Sequence, residues 1–164
     1  MNHRTRNLMM YALYGALFVF FMLLQTAVFG RTRFFGVKLS LIPVVLVCIS
    51  VFLGHERGGF FCLLASFAWY LSGAEDGSVA ILTMTVCGIG AGFACGQFSR
   101  RFFPALGLCA AALLLHEGCV FLLKYYLGSA QASLGWWVLK TTGLSLLAWP
   151  VCYLLAKVIR KVGV

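Results

Sequence analysis

The sequence predicts an all-α polytopic membrane protein, a six-transmembrane-helix bundle forming a single integral membrane domain over residues 1–164. Three observations carry that prediction. Apolar residues make up 62% of the chain and charged residues 10%, against about 25% charged in ordinary globular domains. The 13 Lys and Arg and 4 Asp and Glu cannot cover the surface of a soluble domain this small, and the same scarcity excludes disorder. Finally, apolar stretches near the length of a bilayer crossing recur six times, with the cations gathered at their ends.

The first stretch, residues 8–29, follows a basic start at Arg4 and Arg6. It is too long for a signal-peptide core and lacks a small-x-small cleavage site, so it is expected to remain as an anchor. The second, 37–54, closes in Gly54-His55-Glu56-Arg57-Gly58, and the third, 58–73, leads into Ala74-Glu75-Asp76-Gly77-Ser78. The fourth, 79–96, ends before Gln97-Phe98-Ser99-Arg100-Arg101. The fifth, 104–128, opens on Pro104, a residue suited to a helix's first turn. The sixth, 136–159, contains Pro150, where a kink is expected. Segments two to four are short and their links tight, so they are expected to form consecutive antiparallel hairpins, with the protein's work done in or at the bilayer.

Six crossings put both termini on one side, and that side collects eight cations: Arg4, Arg6, Arg57, Arg100, Arg101, Lys157, Arg160 and Lys161. The other side collects five: Arg31, Arg33, Lys38, Lys124 and Lys140. The bias predicts cytoplasmic termini. Trp69, Tyr70, Tyr125, Tyr126, Trp136 and Trp137 fall where an outer aromatic belt would lie. A net charge of +9 would point to nucleic acid in a soluble chain, but its placement at segment ends is explained by orientation and by anionic lipid headgroups. The seven cysteines sit within apolar stretches with no CxxC pair and no Cys/His cluster, so they are expected to be small buried residues with no disulfide or metal.

Two features carry candidate function. The fourth segment reads Gly88-x-x-x-Gly92-x-x-x-Gly96, a spacing that lines glycines along one face and lets another helix approach closely. That face serves either packing within this bundle or the docking of a partner's membrane helix. Ala12-x-x-x-Ala16 in the first segment is a weaker version. The second feature is His116-Glu117 near the middle of the fifth segment, with Lys124 two turns onward and Lys140 on the sixth. An ionisable group at that depth must be neutral, paired or hydrated. It forms either a polar clasp that fixes helix register, Glu117 with Lys140 or with a partner's helix, or a proton, ion or substrate site. No G-x-S-x-G, H-E-x-x-H, P-loop or dinucleotide fingerprint is present, so neither catalysis nor a cofactor is expected.

The order of features resembles the rod shape-determining MreD family, of which the chain looks like a divergent member. The resemblance rests on the basic start, Leu24-Gln25-Thr26 closing the first helix and Gly54-His55-Glu56-Arg57-Gly58-Gly59-Phe60 after the second. It continues with Leu71-Ser72-Gly73, the glycine-rich fourth helix with its Arg pair, and Glu117 among leucines. The chain departs from the family at Lys38-Leu39-Ser40-Leu41, where relatives carry Pro-Asp-Leu. It departs again at Cys62, Ser66 and Trp69-Tyr70 in the third helix. The resemblance implies a fold similar to the substrate-binding subunits of energy-coupling vitamin transporters. It also implies a scaffold of the bacterial cytoplasmic membrane that binds the membrane helix of the single-pass protein MreC. Through MreC it would link MreB filaments to the glycosyltransferase and transpeptidase of wall elongation. The rival readings are an energy-coupling substrate subunit, with His116, Glu117 and Trp136 lining a cavity, and a membrane-embedded enzyme or ion conductor dependent on Glu117.

Overall fold

A computed structural model describes residues 3–29, 39–73, 77–97, 102–128 and 135–162. Arg31, Arg33, Lys38, Glu75, Asp76, Arg100 and Arg101 lie outside the described residues, as do the side chains of Arg4 and Arg6. The described residues are helical with no strand: α1 (His3–Leu24) with a π turn at Gln25–Phe29, α2 (Leu41–Leu53), α3 (His55–Leu71), α4 (Val79–Gln97), α5 (Phe102–Tyr126), α6 (Gly135–Leu146) and α7 (Trp149–Val162).

Side-chain pairings fix the path. Gln25 at the end of α1 bonds to Leu39 and Leu41 at the start of α2, so those helices run antiparallel. Gly54 turns the chain with φ 87°, a conformation that suits a residue without Cβ, and α3 returns along α2 with Cys62 Sγ donating to the Leu46 carbonyl at 3.6 Å. Ser66 meets Thr85 on α4 at 3.4 Å, and Cys87 donates to the Ala112 carbonyl of α5 at 3.4 Å. Ser40 and Phe52 on α2 meet Ser145 and Tyr153 respectively, so the α6–α7 leg runs parallel to α2. Tyr14 Oη donates to the Ala156 carbonyl at 3.2 Å and closes α7 onto α1. Direction thus alternates along six legs, and the α2–α3 turn lies at the same end of the bundle as the last turn of α7.

Those legs differ in length. Among the described residues, three helical stretches, Asn7–Phe29, Val79–Gln97 and Phe102–Tyr126, are long and apolar enough to cross a membrane, and the bent pair Gly135–Leu146 and Trp149–Lys161 is so when taken as one span. The expected second and third spans are shorter, at 13 and 17 helical residues. At 1.5 Å per residue they reach about 20 and 26 Å, short of the roughly 30 Å hydrocarbon layer. The reason is visible for α2. Every residue from Leu41 to Phe52 is buried, because α1, α3, α4, α5, α6 and α7 all pack around it. A helix with no lipid-facing side need not match the lipid's thickness. Its near-continuous apolar run, LIPVVLVCISVFL, is what burial on all sides requires, and Pro43 is tolerated in its first turn.

The outer helices bury one stripe each. On α1 it is Tyr14, Phe18 and Phe21, and on α5 it is Ala105, Cys109, Leu113, His116 and Val120, spacings of three and four that repeat on one face. All seven cysteines are free, five of them buried. The sixth leg breaks before Pro150 rather than at it. Leu147 and Ala148 form the break, with i→i+3 bonds of 3.1 Å from Leu147 N–H to the Leu144 carbonyl and from Ala148 N–H to Ser145. The two halves meet at 44°, and Pro150 lies in the first turn of α7, where its missing N–H removes little. Trp149 at the break is fully buried against Tyr153, ring centroids 5.6 Å apart.

Candidate functional site

The glycine stripe falls on α4, and His116, Glu117 and Lys124 fall on α5 with Lys140 on α6. A Cβ built on Gly88 would stand 2.8 Å from Cys62 Cβ, and one on Gly92 would stand 2.9 Å from Gly54 C, His55 N and His55 Cα. Ser50 Oγ on α2 donates to the Gly88 carbonyl. Gly88 and Gly92 are therefore taken up by this chain's own α2 and α3, which approach α4 as closely as backbones allow. Of the three glycines set out for a partner helix, only Gly96 has open space beside it. The α3 side of the seam is small for the same reason: Gly58, Gly59, Cys62, Ala65 and Ser66 are its buried residues before Trp69.

An outward small-residue face lies instead on α5. Gly107 and Gly118 have nothing within 4 Å of a built Cβ. Gly107 and Ala111 are exposed and Gly118 is half-buried. Spacings of four and eleven residues put all three on one side of the helix, flanked by exposed Leu114, Leu115 and Leu122. Sequence inspection passed over this stripe because Gly107 and Gly118 are not four apart; the eleven-residue interval, three helical turns, was the available signal.

The polar group at mid-depth resolves into a clasp between α4 and α5. His116 is 1% exposed, and its Nδ1 lies 2.7 Å from Thr83 Oγ1. That hydroxyl also lies 3.0 Å from the Val79 carbonyl within α4. With the hydroxyl donating to the carbonyl, the imidazole Nδ1–H donates to the hydroxyl, so this pairing uses the Nδ1–H and both the hydrogen and one lone pair of the hydroxyl. Glu117, one residue on, is rotated about 100° from His116 and is half-buried. Lys124 and Lys140 are exposed on α5 and α6. His116 with Thr83 thus makes a buried polar pairing between α4 and α5, and Thr83 is a residue that the sequence did not single out.

A second polar cluster organises the start of α2. Gln25 Oε1 accepts from Leu41 N–H at 3.0 Å while its Nε2 donates to the Leu39 carbonyl at 2.5 Å. Ser145 Oγ accepts from Ser40 N–H at 3.0 Å. Two orphan donors of a buried helix N-terminus are satisfied by side chains from the first and sixth legs. Among the described residues, three buried polar atoms have no hydrogen-bond partner: Trp69 Nε1, Thr142 Oγ1 and Trp149 Nε1. Trp69, expected in the aromatic belt, is 8% exposed and turned into the bundle, whereas Tyr126 and Trp136 are 93% and 62% exposed.

Among the described residues, no three His, Cys, Asp or Glu side chains come together as metal ligands. Comparison with family models, curated proteins and solved structures finds no match for this chain.

Proposed function

We propose that this chain is a non-enzymatic membrane scaffold of the MreD type. In this reading it sits in the bacterial cytoplasmic membrane with both termini cytoplasmic, all six legs reaching across or into the bilayer. It binds the transmembrane helix of an MreC-like single-pass protein and so helps to position the enzymes of wall elongation on MreB filaments. The observation that carries the reading is the position of α2. The centre of the bundle is filled by a helix buried from Leu41 to Phe52, while α5 presents Gly107, Ala111 and Gly118 outward. A filled centre weighs against the substrate-subunit alternative, which needs a cavity there. An open small-residue face suits close packing of a second helix, where dispersion rather than the hydrophobic effect drives association in lipid. The cation-rich end, with Arg57, Lys157, Arg160 and Lys161, is the end that the positive-inside bias assigns to the cytoplasm.

The test is co-purification with a co-expressed MreC-like protein. Gly107→Leu with Gly118→Leu should abolish recovery while the chain still inserts and elutes as a single species. Undiminished recovery from a correctly inserted double variant would overturn the docking face. Gly92→Leu is unsuitable for this purpose, because it disrupts α4 against the α2–α3 turn before any partner is involved.

A further inference from the structure

We propose that the outward face of α7 is a binding site for an anionic phospholipid. Along this helix, Trp149, Cys152, Tyr153 and Ala156 are buried against the bundle. The opposite side carries exposed Val151, Leu154, Leu155 and Val158, followed toward the C-terminus by exposed Lys157 and Lys161. Positions 154, 157, 158 and 161 recur at three and four residues, so they form one stripe. The stripe is apolar along the first turns and cationic at the end of the helix. A phospholipid has that profile: acyl chains alongside, a phosphate at the top.

The cationic end is a built feature of the bundle. Tyr14 Oη holds the Ala156 carbonyl at 3.2 Å, which fixes α7 to α1 one turn below Arg160. The Arg160 guanidinium lies 5.9 Å from the centroid of the Phe52 ring, a cation–π contact that anchors it over the C-terminal end of α2. Phe52 and Phe102 both pack on Tyr153, at 5.3 and 5.2 Å between centroids. Arg57, at the start of α3, belongs to the same end and is exposed.

Cations in a last helical turn also offset the helix dipole, but that accounts for a fraction of a charge, where Arg160 and Lys161 stand in the last turn and Lys157 just before it. Among the described residues the carboxylate at this end is Glu56, and it lies 3.9 Å from His55; Lys157 and Lys161 have no carboxylate in ion-pair range among the described residues. The local excess of positive charge selects a lipid with net negative charge over a zwitterionic one.

The inference rests on the membrane reading and is independent of the scaffold role. The full chain is reconstituted in vesicles of phosphatidylcholine, alone or in equal mixture with phosphatidylglycerol, and the relative association of spin-labelled lipids with each headgroup is measured. The wild-type chain should prefer phosphatidylglycerol, less so as salt rises. Each lysine neutralised, Lys157→Gln or Lys161→Gln, should reduce that preference by up to about fivefold, and Lys157→Arg with Lys161→Arg should retain it. Equal preference in the wild type and the double Gln variant would overturn the site. Saturable binding of polyglutamate without headgroup preference would overturn it in favour of an acidic protein segment. Failure of the chain to incorporate into either vesicle would sink the membrane reading along with it, whereas incorporation without selectivity sinks this proposal alone.

Discussion

Gly92→Ala tests the central packing claim with one methyl group. The new Cβ would stand 2.9 Å from three backbone atoms, Gly54 C, His55 N and His55 Cα. Carbon atoms rest at about 3.5–4.0 Å, so α4 and the α2–α3 turn must part by at least about 0.6 Å. A flexible side chain could swing aside, but these are main-chain atoms at a turn whose Gly54 adopts φ 87° and whose N–H is held by the Ser50 carbonyl at 2.9 Å. Overpacking of a close-packed contact costs about 1–3 kcal/mol, and replacing Gly by Ala within a helix returns roughly 0.5–1 kcal/mol. The two ranges leave a net loss of about 0–2.5 kcal/mol, and their midpoints a loss of about 1 kcal/mol, or roughly fivefold in the folded-to-unfolded ratio. Gly96→Ala, one turn away with open space, provides the matched control and should be neutral or slightly stabilising. Both are measured by reversible unfolding in mixed detergent micelles with the wild type in parallel. If Gly92→Ala proved as stable as Gly96→Ala, the close approach of α4 to the turn would be refuted, and with it the assignment of Gly92 to internal packing.

Buried hydroxyls offer a contrast in sign. Thr142→Val removes an oxygen with no partner at nearly constant volume and should stabilise the bundle by about 1–2 kcal/mol in the same unfolding assay. Thr83→Val removes the partner of buried His116 and should cost about 1–3 kcal/mol. His116→Phe combined with Thr83→Val should cost less than the two changes added, and strict additivity would argue against the clasp. Gln25→Leu strips the Leu41 N–H and Leu39 carbonyl of their partners and should destabilise by about 1–3 kcal/mol, with faster hydrogen exchange at the start of α2. Cys48, Cys109 and Cys152 are fully buried, so maleimide should leave them unlabelled in the folded protein and label them on denaturation. Labelling before unfolding would contradict the packing around α2.

The all-helical class and the presence of helices apolar enough to cross a membrane are legible from composition and hydropathy because both are sums over many residues. A chain of 62% apolar residues is expected to form helices long and apolar enough to cross a membrane, and three such helices with a further bent pair are present among the described residues. Alternating direction among α2, α3 and α4 follows from the tight links that join them. Depth and neighbourhood are another matter. Hydropathy assigned α2 and α4 alike to spans, yet one is enclosed by every other leg and the other is half open. The difference arises from which helix the rest can pack around, a property of the whole set.

The candidate site divides along the same line. Glycines at four-residue spacing announce a close contact in the sequence, since only a missing side chain permits it. Which surface fills the contact was decided by tertiary structure: α2 and α3 reached Gly88 and Gly92, leaving Gly96 open. His116 likewise announces a polar requirement at mid-depth, but its answer, Thr83, lies 33 residues away on a neighbouring helix and carries no charge to advertise the pairing. Local sequence dictates what each helix can tolerate on each face. The partner that satisfies it depends on distances between helices, which no single segment encodes.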